Sequence, residues 1–571
     1  MGEKPEVAQA ARIAAGSAEA ECVARRAHDL ARLVDSSLLR NELLDDYLRH
    51  RFLPLSHYAG IFCVATSASD PALPASCSQN PETRCVRVSQ SDLLGALEHV
   101  FRDRLRDRAT LSLEHHEPHF SAREVITRKQ SAAFAALAVA LLSMAFAVPN
   151  AGGVVLAGII AAGYVANAIF RGWLFWVGSD EPASVNASLP RNGPNELPVY
   201  TILVPLYREA NIVQQITDAL RALDYPADKL DVKLIVEADD VETVAAVHAA
   251  SINSAFEVLH VPEGQPRTKP RACNYALQFA RGEFLVIYDA EDQPEADQLK
   301  KAVAAFRSGA ADVACLQARL NFFNAKECWI SRMFALDYGL WFDYLLPGLD
   351  RLGIPMPLGG TSNHFRIDAL RAIHGWDPFN VTEDADIGIR LARLGFRVRT
   401  LDSTTYEEAT NAVGIWLRQR TRWLKGYMQT WLVHMRSPRQ LLRNAGLGGF
   451  FGFQLFVGGT VLSALLNPLL WLIFIASFFV DLPLVGFSPT ASVISGVSLA
   501  LGNALFAYLA MLGPYRRGWV DLSPYGLSVP FYWLLISVAA YRALWQLVRN
   551  PSHWEKTAHG LSRMARSGFP Q

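Results

Sequence analysis

Two blocks of apolar sequence, residues 132–177 and 447–548, bracket the polar residues 199–435. A helix needs about 20 apolar residues to cross the hydrocarbon core of a bilayer. A chain with several such runs folds as a membrane protein carrying a water-soluble insert. Residues 132–149 and 153–177 read as a hairpin joined by the uncharged Pro149-Asn150-Ala151-Gly152, with Arg123, Arg128 and Lys129 before it. Basic flanks favour the cytoplasmic side, so both outer ends of the hairpin are expected there. The run 447–482 is too long for one untilted crossing and is interrupted by Asn467-Pro468. It reads as an approach along the interface followed by one crossing. Residues 491–513 then return, placing Arg516 and Arg517 inside. Residues 524–548 carry Arg542 and Gln546 and precede a basic tail. They are expected to lie on the inner surface as an amphipathic helix, with a fifth or sixth crossing as the alternative.

The rest of the composition mostly excludes. Lys+Arg and Asp+Glu both number 54 in 571 residues, so no net field attracts nucleic acid. The seven cysteines, Cys22, Cys63, Cys77, Cys85, Cys273, Cys315 and Cys328, form no CxxC pair. Reduced cytosolic thiols are therefore expected rather than a disulfide framework. The polar N-terminus lacks the apolar core of a signal peptide.

Within the insert, apolar runs at Tyr200–Leu206, Lys233–Ala238, Phe256–Val261, Glu283–Tyr288 and Asp312–Gln317 alternate with helical patterns at 211–223, 243–254, 271–281 and 295–307. Such alternation predicts a mostly parallel sheet with helices on both faces. The expected organisation is an N-terminal module (1–122), a membrane hairpin (123–178), a linker (179–198), the soluble α/β domain (199–435), further membrane and interfacial helices (436–548), and a tail (549–571).

Ligands of such sheets sit at the carboxyl ends of the strands, and acidic motifs fall there. The first strand closes on Tyr207 and Glu209, an aromatic face and a carboxylate able to hold a base. The second ends in Glu237-Ala238-Asp239-Asp240, acceptors for a uracil ring or ribose hydroxyl. Lys269 and Arg271 open a helix where a diphosphate would meet positive charge and free N–H groups. Asp289-Ala290-Glu291-Asp292 crowds three carboxylates at the end of a buried strand, a repulsion that a hard divalent cation relieves. Beyond them come Thr382-Glu383-Asp384 and, 35 residues later, Gln419-Arg420-Thr421-Arg422-Trp423 just before the second apolar block. On a helix this spacing places Gln419 beside Arg422 and Trp423.

PLYRE, EADD, KPR, DAED, TED and QRTRW, in that order and followed by apolar helices, resemble the processive inverting family 2 glycosyltransferases, including bacterial cellulose and hyaluronan synthases. The resemblance covers roughly residues 125–560. It implies a GT-A fold inserted between transmembrane segments and a UDP-sugar donor held by Tyr207, Glu209, Glu237, Asp239, Lys269 and Arg271. It further implies Mg or Mn on Asp289 and Glu291, in place of the usual DxD pair, with Asp292 as a second candidate. Asp384, supported by Thr382 and Glu383, would be the general base. Arg422 would meet the diphosphate, and Trp423 would stack beneath the acceptor sugar with Gln419 beside it. Gly359-Gly360-Thr361-Ser362-Asn363-His364 stands where those synthases read FFCGS, with His364 as either a sugar ligand or a structural histidine. Trp554, Lys556 and Thr557 stand where they carry a gating loop. Residues 1–122 faintly resemble the N-terminal domain of type II secretion ATPases, which suggests cyclic di-GMP as a regulator. The expected activity is polymerisation and extrusion of a β-linked polysaccharide, a glucan first, at a bacterial inner membrane. Both termini would be cytoplasmic, and periplasmic or outer-membrane export proteins are candidate partners. The alternatives are a non-processive enzyme glycosylating a lipid and an inactive sensor or scaffold of an export machine.

Overall fold

The computed structural model describes residues 27–58, 61–67, 82–147, 149–180, 197–250, 256–476, 479 and 489–554. Lys556, Thr557, Cys22, Cys77 and nearly all of the 179–198 linker fall outside them. The insert is built on an eight-stranded sheet of β4 (Tyr200–Leu206), β5 (Leu230–Glu237), β6 (Phe256–Val261), β7 (Phe284–Ile287), β8 (Gln293–Pro294), β9 (Val313–Phe322), β10 (Asn363–Arg366) and β11 (Arg397–Glu407). Its order is β6-β5-β4-β7-β10-β9-β11-β8. β4 pairs in parallel with β5 and β7, and β5 with β6. The short β10 runs against both β7 and β9, and β8 against β11. Because side chains alternate across a strand, Tyr200, Ile202 and Val204 of β4 join one buried cluster with Ile216 and Leu220 of the helix Val213–Arg221. Leu203 faces the opposite cluster, where the helix Lys269–Leu277 packs.

All five strands expected from apolar runs are present, with β9 extending to Phe322. β10 and β11 carried no such signal. β10 has four residues and spells NHFR, while the first half of β11 is mostly polar and alternates between exposed and half-buried positions up to the buried Leu401.

The N-terminal module contributes β1 (Phe52–Tyr58), β2 (Ile61–Thr66) and β3 (Glu82–Arg87), with the helices Gln90–Val100 and Arg102–His116. It shares the core on the β6 side: Leu97, Phe101, Leu105 and Ala109 lie in one cluster with Leu259, Tyr275 and Phe279. Asn274 Nδ2 donates to the Ala109 carbonyl at 3.1 Å, and Gln278 Nε2 to that of Leu105 at 2.9 Å. Beneath this seam the fully buried Lys233 lies between Asp231, at 2.7 Å, and Glu257, which Arg51 of the module also grips at 2.9 Å. Burial pulls the Lys233 ammonium below its ordinary pKa, while the two carboxylates oppose the shift. The helix that carries Lys269 is thus clamped from behind by the module.

Among the described residues, four segments are long and apolar enough to cross a membrane: Gly158–Ser179, Pro438–Ile475, Gly496–Arg517 and Val520–Arg549. The joint of the first hairpin is tighter than expected, because the second helix begins at Pro149 itself, a residue well suited to a first helical turn. Pro468 does not break its segment but lies inside the helix Gly459–Ala476. The irregularities come earlier, at Gly446, whose φ of 70° only glycine adopts easily, and at the π-helical Gln454–Gly458. The last segment, expected along the interface, meets the length for a crossing. Its Ala539, Ala540 and Ala543 pack on Leu424, Met428 and Leu432 of the helix Val413–His434.

Candidate active site

One cavity gathers most of the motif residues: Tyr207, Glu209, Glu237, Lys269, Asp289, Glu291, Thr382, Glu383, Asp384, Gln419, Arg422, Trp423 and Trp554. Strand ends deliver the first of these. Tyr207 follows β4, where the guanidinium groups of Arg208 and Arg267 lie 5.2 and 5.6 Å from its ring centre. Arg267 also reaches Asp239 at 2.9 Å. Lys269 opens its helix with Nζ on an Asp289 carboxylate oxygen and 2.7 Å from the Gly360 carbonyl. Burial pulls the Lys269 ammonium down, but the charges of Asp289 and Glu383 outweigh it and hold its pKa above the ordinary value.

The acidic turn after β7 divides its carboxylates. Asp289 and Glu291 face the cavity. Asp292 is fully buried, accepting from the Asp289 backbone N–H at 2.7 Å and from the Thr361 hydroxyl. Of the two candidates for the second metal ligand, Glu291 is therefore the one in reach. Glu407, at the end of β11, completes the crowding. Burial and then the charges of Asp292, Glu291 and Asp289 push its carboxyl well above the usual range. Among the described residues no group of three or more His, Cys, Asp or Glu forms a complete metal cage. Two hard carboxylates facing an open space nonetheless fit a Mg or Mn ion that takes its remaining oxygens from a donor diphosphate.

The base candidates stand opposite. Glu383 and Asp384 begin the helix Glu383–Arg393. Asp384 accepts from the Ala385 N–H at 2.7 Å and points toward Gly360, whose missing Cβ would come 3.2 Å from its oxygen. Burial raises both carboxyls, and the charge of Asp384 helps push Glu383 up to about 8. The Gln419 helix crosses close by at Gly426. A Cβ there would fall 2.0 Å from Thr382 Oγ1 and 2.6 Å from Thr382 Cβ. Gly426→Ala is therefore expected to cost about 1–3 kcal/mol of stability by overpacking. It should also reduce turnover by displacing Thr382 and the carboxylates after it, as thermal unfolding and nucleotide-release assays would show.

Trp423 is half-buried, with its ring 6.0 Å from Tyr338 and the Arg420 guanidinium 4.5 Å from its centre. Arg422 lies 5.6 Å over Trp554. The tail is laced to the same helix, since Lys425 donates to the His553 carbonyl at 2.6 Å and Gln429 to that of Pro551 at 3.0 Å. Gln429 also accepts from the Val381 N–H at 3.0 Å, just before Thr382.

Two expected donor ligands lie elsewhere. Arg271 is 1% exposed and spends its guanidinium on Glu237, at 2.8 Å, and on the Pro262 carbonyl. It holds Glu237 rather than facing the cavity. Asp239 lines a separate shallow hollow with Arg208 and Asp240. His364 is structural. Its ring takes Tyr200 at 2.7 Å and Gln298 at 3.2 Å, and burial drives its pKa down to about 3. Sequence reading missed Glu407, Arg420, Asp337 and Tyr427, all of which line the cavity. The strand-end rule would have reached Glu407 had β11 been recognised. Tyr427 follows Trp423 by one helical turn.

Residues 284–512 match the family model "Glycosyl transferase family group 2". The chain is 26% identical over 242 residues to "Probable glucomannan 4-beta-mannosyltransferase 1" of Arabidopsis thaliana, covering 41% of this chain and 44% of that protein. It is 28% identical over 244 residues to "Beta-monoglucosyldiacylglycerol synthase" of Nostoc sp. strain PCC 7120, covering 41% and 50%. The chain thus spans about half the length of these two relatives. A solved structure of the mannosyltransferase PcManGT from Pyrobaculum calidifontis, in complex with GDP-Man and Mn2+, aligns with a TM-score of 0.39 at 22% identity, over 72% of this chain and 99% of that one. The matched segment is similar to family 2 glycosyltransferases, and the similarities indicate a transferase.

Proposed function

We propose that the protein is an inverting, processive membrane glycosyltransferase that lengthens a β-linked polysaccharide from a UDP-sugar and passes it across the bilayer. One observation carries this reading. The cavity holding Asp289 and Asp384 continues past Trp423 between the apolar helices, where Asn167, Thr460, Ser463, Asn467 and Asn503 line it. A lipid-glycosylating site has no need of a polar path through its own membrane helices. A relative named for glucomannan synthesis agrees with a polymer, and one named for glucosyldiacylglycerol marks the alternative.

In this reading Tyr207 and Glu237 hold uridine, and Lys269 and Arg422 hold the diphosphate. Asp289 and Glu291 would hold the divalent ion, which when bound neutralises charge on the departing nucleotide. Trp423 supports the terminal sugar of the acceptor. Asp384 takes the proton of its attacking hydroxyl as the anomeric carbon inverts and UDP leaves. Trp554 over Arg422 covers the diphosphate end and sheds water. Purified protein in proteoliposomes, given UDP-glucose and Mg or Mn, is expected to make long polymer. A product limited to single glycolipids would establish the lipid-acceptor enzyme instead, and absence of nucleotide release with every sugar donor and acceptor would remove the enzymatic reading.

A further inference from the structure

Asp384 can serve an acceptor hydroxyl only if the helix it begins is held in register with the helix that carries Gln419, Arg422 and Trp423. That second helix, Val413–His434, is anchored on one side, where Leu424, Met428 and Leu432 pack on Ala539, Ala540 and Ala543. Its other side meets the chain around Asp384. Gln429 takes the Val381 N–H, and Asn380 Nδ2 donates to the Thr430 hydroxyl at 3.0 Å. Both contacts fall before the helix Glu383–Arg393 begins. Within that helix the tie is made by Asp386, whose Oδ1 lies 3.1 Å from His434 Nε2. Asp384 and Asp386 are two positions apart, about 200° around a helix. One therefore lines the cavity while the other is fully buried behind it.

The partners of His434 fix its tautomer. Arg393 Nη1 lies 3.0 Å from Nδ1, and a guanidinium can only donate. Nδ1 is therefore the acceptor, and Nε2–H is the donor to Asp386. Burial holds the imidazole below its ordinary pKa against the pull of Asp386, in keeping with a neutral ring. Arg390 Nε stands 3.4 Å from the second Asp386 oxygen. Phe120, from the stretch leading into the first apolar helix, and Phe453 flank the imidazole, their ring centres 5.8 and 6.0 Å away. His434 is fully buried among them.

We infer that His434 is a positioning residue for the general base: by holding Asp386 and Arg393 it sets where the helix Glu383–Arg393 stands, and with it the Asp384 carboxylate. This rests on the reading of Asp384 as the base. Asp386 and Arg393 are seven residues apart, two turns along one face of that helix. One imidazole that donates to the first and accepts from the second fixes both the height and the rotation of the helix against its anchored neighbour. A displacement of about 1 Å at a reacting group can cost on the order of 10²-fold in rate, so a tie at this distance bears on turnover without touching substrate.

The test follows UDP release by the full-length protein in phosphatidylcholine vesicles, with UDP-glucose or whichever of a panel of UDP-sugars wild type turns over. His434→Phe, which keeps a ring but no hydrogen bond, should lower kcat about tenfold while KM for the donor stays within about threefold. The donor ligands Tyr207, Lys269 and Asp289 stand on elements the pair does not touch. His434→Gln, an amide able to donate and accept, should recover most of kcat. Because His434→Phe leaves Asp386 buried without its donor, the double variant Asp386→Leu with His434→Leu is made as well. It should unfold in denaturant near wild type yet turn over about tenfold more slowly. Wild-type kcat in the double variant, or loss of kcat, donor affinity and stability together with no recovery in His434→Gln, overturns the positioning role. Asp384→Asn, run alongside, separates the two readings. If it is slow while the His434 variants are not, only this inference falls. If it is as fast as wild type, or wild type releases no UDP from any donor, the reading of the base falls and this one with it.

Discussion

Asp384→Asn is expected to lower the rate of UDP release in the presence of acceptor by about 10²–10⁴-fold, the usual contribution of a positioned general base, with donor affinity changed far less. Asparagine keeps the shape that meets the Ala385 N–H but cannot accept the hydroxyl proton. The wild-type pH profile carries a second signature. Burial raises Asp384, so its charged form exists only above that raised value, and the rate must fall as pH drops through it. The acid limb is therefore expected above the ordinary carboxylate range near 4, and it should vanish in the residual rate of Asp384→Asn. A rate within threefold of wild type in that variant, at any pH from 5 to 9, would remove Asp384 from the chemistry.

Arg271→Leu is expected to destabilise the soluble domain by about 3–5 kcal/mol, because it leaves Glu237 buried and uncompensated. The two side chains are 1% and 6% exposed in their ion pair. Burial already raises the Glu237 carboxyl, against the opposing charge of Arg271. Removing that charge leaves desolvation and the neighbouring Asp239 opposed by Arg267. The double variant Arg271→Leu with Glu237→Leu should recover much of the stability, since a buried pair replaced by apolar groups is often near neutral, although its donor affinity should fall with loss of the Glu237 carboxylate. Denaturant unfolding in detergent and nucleotide titration separate the two effects. If Arg271→Leu is as stable as wild type and only binds donor weakly, the arginine meets the diphosphate as its place in the KPR motif suggested.

How far the site was legible depended on which physical signal each residue left. Strands made of apolar runs, such as Leu230–Glu237 and Phe284–Ile287, declared themselves, and the acids at or just beyond their ends, Glu237 and Asp289, inherited that clarity. β10 and β11 are polar or short, so Glu407 at the end of β11 went unseen although it crowds the same carboxylates. Within one motif the sequence could not say which acid turns inward. Glu291 and Asp292 are neighbours, and only the Thr361 hydroxyl and the Asp289 N–H decide that Asp292 is the buried one. Pro468 misled for a related reason. In an apolar helix among other helices, neighbouring groups can make good the hydrogen bond that proline removes.

By itself the sequence determined what repeats or alternates locally: the apolar segments, the parallel strands of the insert, and the order in which acids, lysine and the Gln419-Arg422-Trp423 face are met along the chain. Tertiary structure alone decided what depends on contacts between distant residues. It turned Arg271 away to Glu237, made His364 a strut between Tyr200 and Gln298, and let Thr382 approach the Gln419 helix at Gly426. It also set His434 against Asp386 behind the base. The reason is range: periodicity and propensity act over a few residues, whereas the partner that fixes a buried charge or ring can stand more than a hundred residues away.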